Sequence, residues 1–289
     1  MYYELIEYIL RDTTSPNYIG VNKAIIFKEI YLETDRLDVI DQFINDSFVK
    51  IIYNIGTITN LKNIASIISR YDNKIIYKLP IFNWHSDNLL DYYKLLENQE
   101  VMFTRLTQLY ICKDISFKKK YTDYTIYVWN RHAVDYLKRY NIDSYTASFE
   151  LSFDRNKQIF NDVNYQLILG GWLPMVYTRG CFKHLFGCSK CVDNQNNGKE
   201  IKNVDKNLDF KIYCNDDYRV LVNSFPILND YSKFDNLRNI TFRYVTRDED
   251  IEALKDIVLA LKKNNYYYEL KKQNIFKNSY ECNLLEGKE

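Results

Sequence analysis

The stretch LILGGWLPMVYTRGCFKHLFGCSKC, residues 167–191, decides how the rest of the chain is interpreted. Its apolar start, LIL, predicts a buried strand, and the glycine pair that follows predicts a turn where the backbone needs conformational freedom. Cys181, Cys188 and Cys191 place half of the chain's six cysteines near its end. The stretch therefore predicts a strand followed by a loop that brings thiols to one end of that strand.

The spacing C-x6-C-x2-C brings three thiolates within reach of one metal ion or cluster. Thiolates are preferred ligands of zinc and of iron–sulfur clusters. The alternative is that three thiols merely lie close together, because free cysteine packs as a small hydrophobic residue. The spacers FKHLFG and SK do not follow a core pattern, which favours a metal or cluster site. His184, inside the same loop, is a further candidate ligand.

Length and composition are those of an ordinary globular protein. The chain has 289 residues, enough for one large domain or two small ones, and its net charge of +1 indicates no general attraction to nucleic acid or to an anionic membrane. The start, MYYELIEYILRD, has acidic residues within its apolar run, and no apolar run reaches the roughly 20 residues that span a bilayer. We therefore expect a cytoplasmic protein whose cysteines are reduced thiols or ligands.

Strand-like and helix-like patterns alternate along most of the chain. Apolar and β-branched runs predict strands, and helical spacing of apolar residues predicts the helices between them. The predicted strands are residues 25–32, 48–53, 74–79, 101–104, 124–129, 145–149, 165–169 and 240–245. The predicted helices are residues 37–44, 61–68, 89–96, 132–140 and 153–160. This alternation predicts an α/β domain with a parallel sheet, either open or closed into a barrel.

Three further predictions concern the second half of the chain. Residues 210–214 and 219–222 flank the polar NDD and predict a hairpin. Residues 246–249, TRDE, match a capping box and predict the start of a helix. Residues 266–289 are polar and predict a loosely held tail. We therefore expect one barrel domain over residues 1–265, with the cysteine loop at 178–214.

A set of short motifs in residues 124–260 resembles a known family in combination. The motifs are VWN at 128–130, SFELS at 148–152, GGWLPMVYTRGC at 170–181, the pair Cys188 and Cys191, the hairpin within 213–223 and the strand at 240–245. Together they resemble the peptidase U32 family, which is described as collagenase-like, and within it the short UbiV-like branch. The resemblance implies a single (β/α) barrel-like domain.

The resemblance implies two kinds of activity. Some members of the family are described as collagenase-like peptidases. Others are similar to oxygen-independent hydroxylation factors that carry a 4Fe-4S cluster on four cysteines. This second group acts on quinone precursors or RNA bases, sometimes as a heterodimer of two related chains.

The fourth cluster ligand departs from the family pattern. UbiV-like proteins take one ligand from the N-terminal part, whereas no cysteine precedes Cys112 in this chain. Cys214, in the predicted hairpin after the cysteine loop, is the first candidate, and Cys112 is the second. A cluster held by Cys181, Cys188 and Cys191 alone, with one open iron, is a third arrangement.

Three other residues are candidates for chemistry near the cysteines. Glu150 follows a predicted barrel strand, where a carboxylate can act as general acid or base; its alternative role is a structural ion pair or a helix cap. Asn130 follows the strand predicted at 124–129 and is more typical of a turn or cap than of a ligand. Arg179 could offset the negative charge of cluster thiolates, or it is an ordinary surface arginine.

Three functional hypotheses follow. The first is a U32-type iron–sulfur protein in an oxygen-independent hydroxylation or related tailoring reaction. The second is a U32-type peptidase acting on a peptide or protein, with cysteines that bind zinc or serve structure. The third is a non-catalytic subunit that forms a heterodimer with a second U32-family chain. The absence of G-x-S-x-G, Walker and G-x-G-x-x-G motifs gives no support to serine-hydrolase or nucleotide-dependent chemistry.

Overall fold

Parallel strands closed into a barrel form the centre of the computed structural model, which describes residues 27–82, 88–180, 199–203, 208–214, 218–233, 239–263 and 265–279. Within these residues, eight strands pair side by side, and the ring closes because residues 144–146 pair with 165–171, residues 165–171 with 240–245, and residues 240–245 with 30–34. The barrel strands are β1 (Ile30–Thr34), β2 (Val49–Asn54), β3 (Ile76–Lys78), β4 (Glu100–Phe103), β5 (Lys119–Thr122), β6 (Ser144–Thr146), β7 (Tyr165–Gly171) and β13 (Ile240–Val245).

Helices cover the outside of the barrel and connect its strands. Their inward faces bury apolar residues against the strands: α1, for example, buries Val39, Ile40 and Phe43 as its helical spacing predicts. The helices are α1 (Leu37–Phe43), α2 (Ile58–Lys62), α3 (Ile64–Tyr71), α4 (Leu89–Lys94), α5 (Leu106–Ile111), α6 (Arg131–Lys138), α7 (Phe153–Ile159), α8 (Ile251–Leu261) and α9 (Tyr266–Lys271). The predicted α/β barrel is thereby confirmed, in its closed form.

A small antiparallel sheet lies in the chain between β7 and β13. Its strands are β8 (Pro174–Thr178), β9 (Lys199–Asn203), β10 (Leu208–Cys214) and β11 (Arg219–Asn223), in the spatial order β8-β11-β10-β9. The predicted hairpin is confirmed, because β10 pairs antiparallel with β11. A short strand, β12 (Ile227–Leu228), then pairs antiparallel with the end of β7.

The glycine pair has a different role from the predicted turn. Gly170 and Gly171 are the last residues of β7, where a side chain would not fit. A Cβ on Gly171, whose φ is +107°, would lie 2.0 Å from the carbonyl oxygen of Val245 on β13. A Cβ on Gly170 would lie 2.6 Å from the carbonyl oxygen of Ile227 on β12. The glycines therefore permit the close approach of three strands.

The strand predicted at 124–129 is wrong. Residues 119–122 form the fifth barrel strand instead, and Tyr124–Ile126 is a 3-10 helix. The turn forms because the N–H of Ile126 donates to the carbonyl of Asp123, at 3.1 Å, and that of Tyr127 to the carbonyl of Tyr124, at 3.0 Å. Tyr127 then has a φ of +56°, which ends extended structure at this point.

The capping box predicted at 246–249 is also wrong. Helix α8 begins after Asp250, whose side chain accepts the N–H of Ala253 at 2.7 Å. The Thr246 hydroxyl instead donates to the carbonyl of Glu33 on β1, at 3.0 Å. Glu249 is buried. Thr246 and Glu249, the two residues of the predicted capping box, therefore make tertiary contacts and do not cap the helix.

The start of the predicted loose tail is packed against the barrel. Helix α9 buries Tyr266 and Leu270, and Phe276 in the next turn is fully buried. The Tyr266 hydroxyl donates to the carbonyl of Asn229 at 2.9 Å. Residues 266–279 therefore belong to the folded body. Their three buried residues pack against the barrel, although the polar residues around them make the segment look exposed in the sequence. In the part of the chain that the structure describes, no helix has the length and apolar character needed to cross a bilayer.

Candidate functional site

Four charged residues meet inside the barrel, at the carboxyl ends of its strands. They are Glu33 on β1, Lys78 on β3, Asp123 after β5 and Arg243 on β13, and all four side chains are buried. We call them the interior charge cluster. They face inward because alternate strand residues share a face: Ile76, two residues before Lys78, belongs to an apolar layer below the cluster.

Each acid of the interior charge cluster contacts both bases. The Nζ of Lys78 lies 2.8 Å from Glu33 Oε1 and 3.2 Å from Asp123 Oδ2. Arg243 forms an ion pair with Glu33, and its Nη1 lies 2.9 Å from Asp123 Oδ1. That last contact is an ion pair without hydrogen-bond alignment, since Asp123 Oδ1 accepts no aligned hydrogen bond from the described residues. The two positive and two negative charges sum to zero, as burial of charge requires.

Neutral groups complete the surroundings of the interior charge cluster. The Asn54 amide donates to Glu33 Oε1 at 3.1 Å, and the Thr125 hydroxyl donates to Asp123 Oδ2 at 3.0 Å. Arg243 also donates from Nη1 to the Thr146 hydroxyl at 3.3 Å. These contacts fix the orientation of the charged side chains.

The electrostatics of the cluster favour a charged Glu33. Burial by itself would raise the pKa of this carboxyl, but the positive charges of Arg243 and Lys78 outweigh burial and lower the pKa to about 2. The Tyr124 ring lies beside both cations, with its centroid 5.2 Å from Lys78 Nζ and 5.7 Å from Arg243 Cζ. Burial, followed by the charge of Asp123, raises the pKa of Tyr124 well above its usual value.

Three aromatic residues cover this end of the barrel. Phe82 after β3, Tyr177 on β8 and Tyr218 before β11 contact one another, with ring centroids 5.2 to 5.6 Å apart. We call them the aromatic cap. Tyr177 lies beside Tyr124, and the Tyr218 hydroxyl donates to the carbonyl of Gly56, after β2, at 3.2 Å. The small sheet therefore lies across the mouth of the barrel, above the interior charge cluster.

A buried carboxyl, Glu249, joins the small sheet to the loop after β13. Its side chain accepts hydrogen bonds from Trp172 Nε1 at 3.1 Å, from the Tyr244 hydroxyl at 2.9 Å and from the backbone N–H of Arg247 at 2.6 Å. Burial raises the pKa of Glu249 despite these donors. The Nζ of Lys211 on β10 lies 4.4 Å from the Trp172 ring, so the same corner anchors β10.

Asn130 and Glu150, the predicted catalytic residues, lie outside the interior charge cluster. Asn130 is exposed and caps α6, because its side-chain oxygen accepts the N–H of Ala133 at 2.9 Å. Glu150 lies in the turn after β6, where its N–H donates to the Ser148 hydroxyl at 3.2 Å. Partial desolvation raises the pKa of Glu150, although its solvent exposure limits that effect.

The predicted cysteine ligands are only partly described. Cys181, Cys188 and Cys191, with His184, lie outside the described residues. Arg179 is exposed and directly follows β8. In the part of the chain that the structure describes, no group of three or more His, Cys, Asp or Glu residues is arranged to hold a metal ion.

Strand register places the backbone of Cys214 beside the start of the cysteine loop. Cys214 is the last residue of β10 and pairs with Arg219 on β11, which in turn pairs with Thr178, the last residue of β8. Cys214 and Thr178 therefore lie at the same end of the small sheet, one strand apart.

Cys112, the other candidate fourth ligand, lies elsewhere. It is buried directly after α5 and lines a cleft with Lys120 on β5 and Asn141 after α6. Because helices in a βα unit run back toward the amino ends of the strands, Cys112 lies toward the opposite end of the barrel from the aromatic cap. Burial raises the pKa of the Cys112 thiol to about 12, which disfavours the thiolate that a metal needs.

Sequence reasoning missed the interior charge cluster. A signal was present, since Glu33, Lys78 and Arg243 each interrupt an apolar strand, in YLET, IYKL and FRYV. A single charged residue inside such a run indicates either that its side chain faces solvent or that it is buried against a residue of opposite charge. The partner comes from another strand and cannot be identified from the local pattern.

Comparisons with known proteins give one similar structure to report. No family model matches the chain, and no curated protein matches it. Among solved structures, the chain is similar to the one described as the U32 peptidase Mk0906, with 10% identity and a TM-score of 0.42 over 83% of this chain and 99% of that chain. That structure carries the name of the family that the sequence motifs resemble. The barrel itself is assigned from the strand pairings.

Proposed function

We propose that this barrel protein holds a 4Fe-4S cluster on Cys181, Cys188, Cys191 and Cys214, and takes part in an oxygen-independent hydroxylation or related tailoring reaction. The observation that supports it most is the register of the small sheet, which brings Cys214 to the end where β8 releases the chain toward Cys181. Two strand spacings separate Cys214 from Thr178 by about 10 Å. The three residues from Thr178 to Cys181 can span up to about 10 Å, so the chain is long enough for Cys181 to approach Cys214.

The choice of Cys214 over Cys112 rests on position and protonation. Cys112 lies toward the other end of the barrel, and its raised pKa works against thiolate formation. A four-cysteine set at the end of the small sheet satisfies the usual ligand count of such a cluster. When bound, the cluster would supply one-electron chemistry beside the barrel mouth.

The residues around the mouth suit a planar substrate. Phe82 and Tyr177 of the aromatic cap are partly exposed and would contact such a substrate, whereas Tyr218 is buried beneath them. Arg179, two residues before Cys181, would offset the negative charge of the thiolates. Glu150, at the carboxyl end of β6 with a raised pKa, is the carboxyl we assign to proton transfer. Asn130, as the cap of α6, would hold the adjacent loop in place.

Anaerobic purification with iron, sulfide and zinc analysis tests the proposal. We expect about four irons and four sulfides per chain. The Cys214→Ser variant is expected to lose most of this iron, whereas the matched Cys112→Ser variant is expected to keep it. Unchanged iron in Cys214→Ser would remove that residue from the ligand set.

Other outcomes of the same analysis favour the alternatives. A colourless protein with about one zinc per chain would favour the U32-type peptidase, to be tested by cleavage of collagen-like and other peptides. Copurification of a second, related chain would favour the heterodimer subunit. A protein that contains neither zinc nor iron would contradict every hypothesis in which the cysteine loop binds a metal.

A further inference from the structure

A cleft of about 180 Å³ opens in the helix layer, away from the aromatic cap. It lies between the carboxyl ends of α5 and α6, above the outer faces of β4 and β5. Its floor is apolar and includes Phe103, Leu109 and Cys112, which are buried. The cleft is therefore separate from the barrel mouth and from the proposed cluster.

The charged residues that line this cleft are all positive. Lys113, Lys120 and Arg139 line it, and no acidic residue does. None of the three forms an ion pair with a carboxylate in the described part of the chain. By contrast, Arg131 and Lys138, on α6 itself, both pair with Asp162. We call the three cations and the floor beneath them the cationic cleft.

Neighbouring groups hold these cations in place while leaving donors for a ligand. Arg139 lies 3.6 Å from the Tyr136 ring centroid and donates from Nε to the Tyr136 carbonyl at 2.9 Å. Lys120 Nζ donates to the carbonyl of Tyr140 at 3.1 Å. A lysine ammonium has three donors and a guanidinium has five, so each cation retains several. Such partial ordering reduces the side-chain entropy that the protein would lose on binding an anion here.

Helix dipoles account for part of this arrangement but leave an excess of charge. Cations near helix carboxyl ends compensate the partial negative charge there, which is about half an elementary charge per helix. Two helix ends therefore offset about one of the three positive charges. The Asp143 carboxylate, which accepts the backbone N–H of Lys120 at 2.8 Å, offsets part of the remainder. A net positive charge of about one remains over an apolar floor.

We propose that the cationic cleft binds the phosphate group of a small ligand, with an apolar or aromatic remainder on the floor formed by Phe103 and Leu109. Lys113, Lys120 and Arg139 together offer charge and donors that match the multiple charges and several acceptor oxygens of a phosphate. A volume of about 180 Å³ accommodates a small organic phosphate and not a folded polymer. Tyr140 also lines the cleft and adds an aromatic residue to it.

Isothermal titration calorimetry of the full chain with pyrophosphate and with phenyl phosphate tests this proposal. We expect binding in the range of about 0.1 to 1 mM, with phenyl phosphate the tighter ligand per charge because its ring contacts the floor. The double variant Lys113→Gln, Arg139→Gln should weaken binding by about tenfold for each cation removed. The charge-preserving variant Lys113→Arg, Arg139→Lys should bind within a few-fold of the unchanged protein.

A matched control separates this cleft from general charge effects. Lys94 and Lys255 are exposed and paired with Asp91 and Glu252. The double variant Lys94→Gln, Lys255→Gln removes the same charge elsewhere and should change affinity by less than about twofold. Equal weakening by both double variants, or no binding heat at about 5 mM probe, would overturn the proposal. Tighter binding of a short single-stranded oligonucleotide would assign the surface to a polymer instead.

Discussion

At the scale of single residues, Arg243 carries the greatest consequence. It is fully buried and contacts both acids of the interior charge cluster. In Arg243→Met, Lys78 alone would face Glu33 and Asp123, leaving one buried negative charge without compensation. We expect the free energy of unfolding to fall by about 3–5 kcal/mol, measured by urea unfolding at neutral pH.

An exposed arginine provides the comparison for that prediction. Arg131 pairs with Asp135 and Asp162 at the surface. Because water solvates these charges after the pair is broken, Arg131→Met should lower the free energy of unfolding far less than Arg243→Met does. A loss in Arg243→Met that is no greater than in Arg131→Met would show that the interior charges contribute little.

Individual residues differ in how far the sequence reveals them. The cysteine spacing is local, so Cys181, Cys188 and Cys191 can be predicted as candidate ligands from the sequence alone. The interior charge cluster is not local: Lys78 is 45 residues from Glu33, and Arg243 is 210 residues from it. No periodicity connects positions so far apart, and only the closed barrel brings them together.

At the scale of elements, the segment after α8 offers a clear test. Phe276 is fully buried and its ring packs edge-on against Tyr244, whereas Tyr268 on α9 is 62% exposed. Phe276→Ala should lower the free energy of unfolding by about 3–5 kcal/mol through lost burial and a residual cavity. Tyr268→Ala, which removes an exposed ring, should cost less than about 1 kcal/mol. Thermal and urea unfolding measure both, and equal effects would restore the interpretation of this segment as a loose tail.

Elements were predictable where the apolar pattern and the tertiary role agree. The strands at 165–171 and 240–245 and the hairpin of β10 with β11 have such patterns. The fifth barrel strand, KKYT, does not, because Lys119 is exposed and Lys120 faces the cationic cleft. The segment after it is apolar for another reason: Tyr124 and Val128 are buried within a turn. Apolar and β-branched residues indicate burial as much as an extended backbone. For this reason the sequence predicts the strand at 124–129 and not at 119–122.

At the scale of the whole molecule, acid should loosen the barrel at the place where its ring closes. Glu33 on β1 and Arg243 on β13 lie on the two strands of that closing pair. The folded pKa of Glu33 is about 2, below the unfolded value of about 4.3. A carboxyl with a lowered folded pKa contributes stability above its unfolded pKa and loses it as pH falls toward the folded value. The contribution of Glu33 should therefore decline between about pH 5 and about pH 2.

Urea unfolding between about pH 7 and about pH 3 measures this dependence. The Glu33→Gln variant should show a flatter dependence than the unchanged protein, by up to about 2 kcal/mol across the range. Glu252→Gln, at an exposed carboxyl on α8 paired with Lys255, is the control and should leave the dependence unchanged. Parallel curves for Glu33→Gln and the unchanged protein would assign the acid sensitivity to other groups.

The pairing of β1 with β13 also constrains how the chain can fold as it is made. Residues 30–34 leave the ribosome first, but their second neighbour, residues 240–245, emerges some 200 residues later. Until then one edge of β1 has no strand partner, and Glu33 and Asp123 share the single positive charge of Lys78. A sheet formed before that point would therefore be open and would hold an excess negative charge at its centre. Closure and charge neutrality arrive together, with the synthesis of Arg243, so a chain released before that point would lack both.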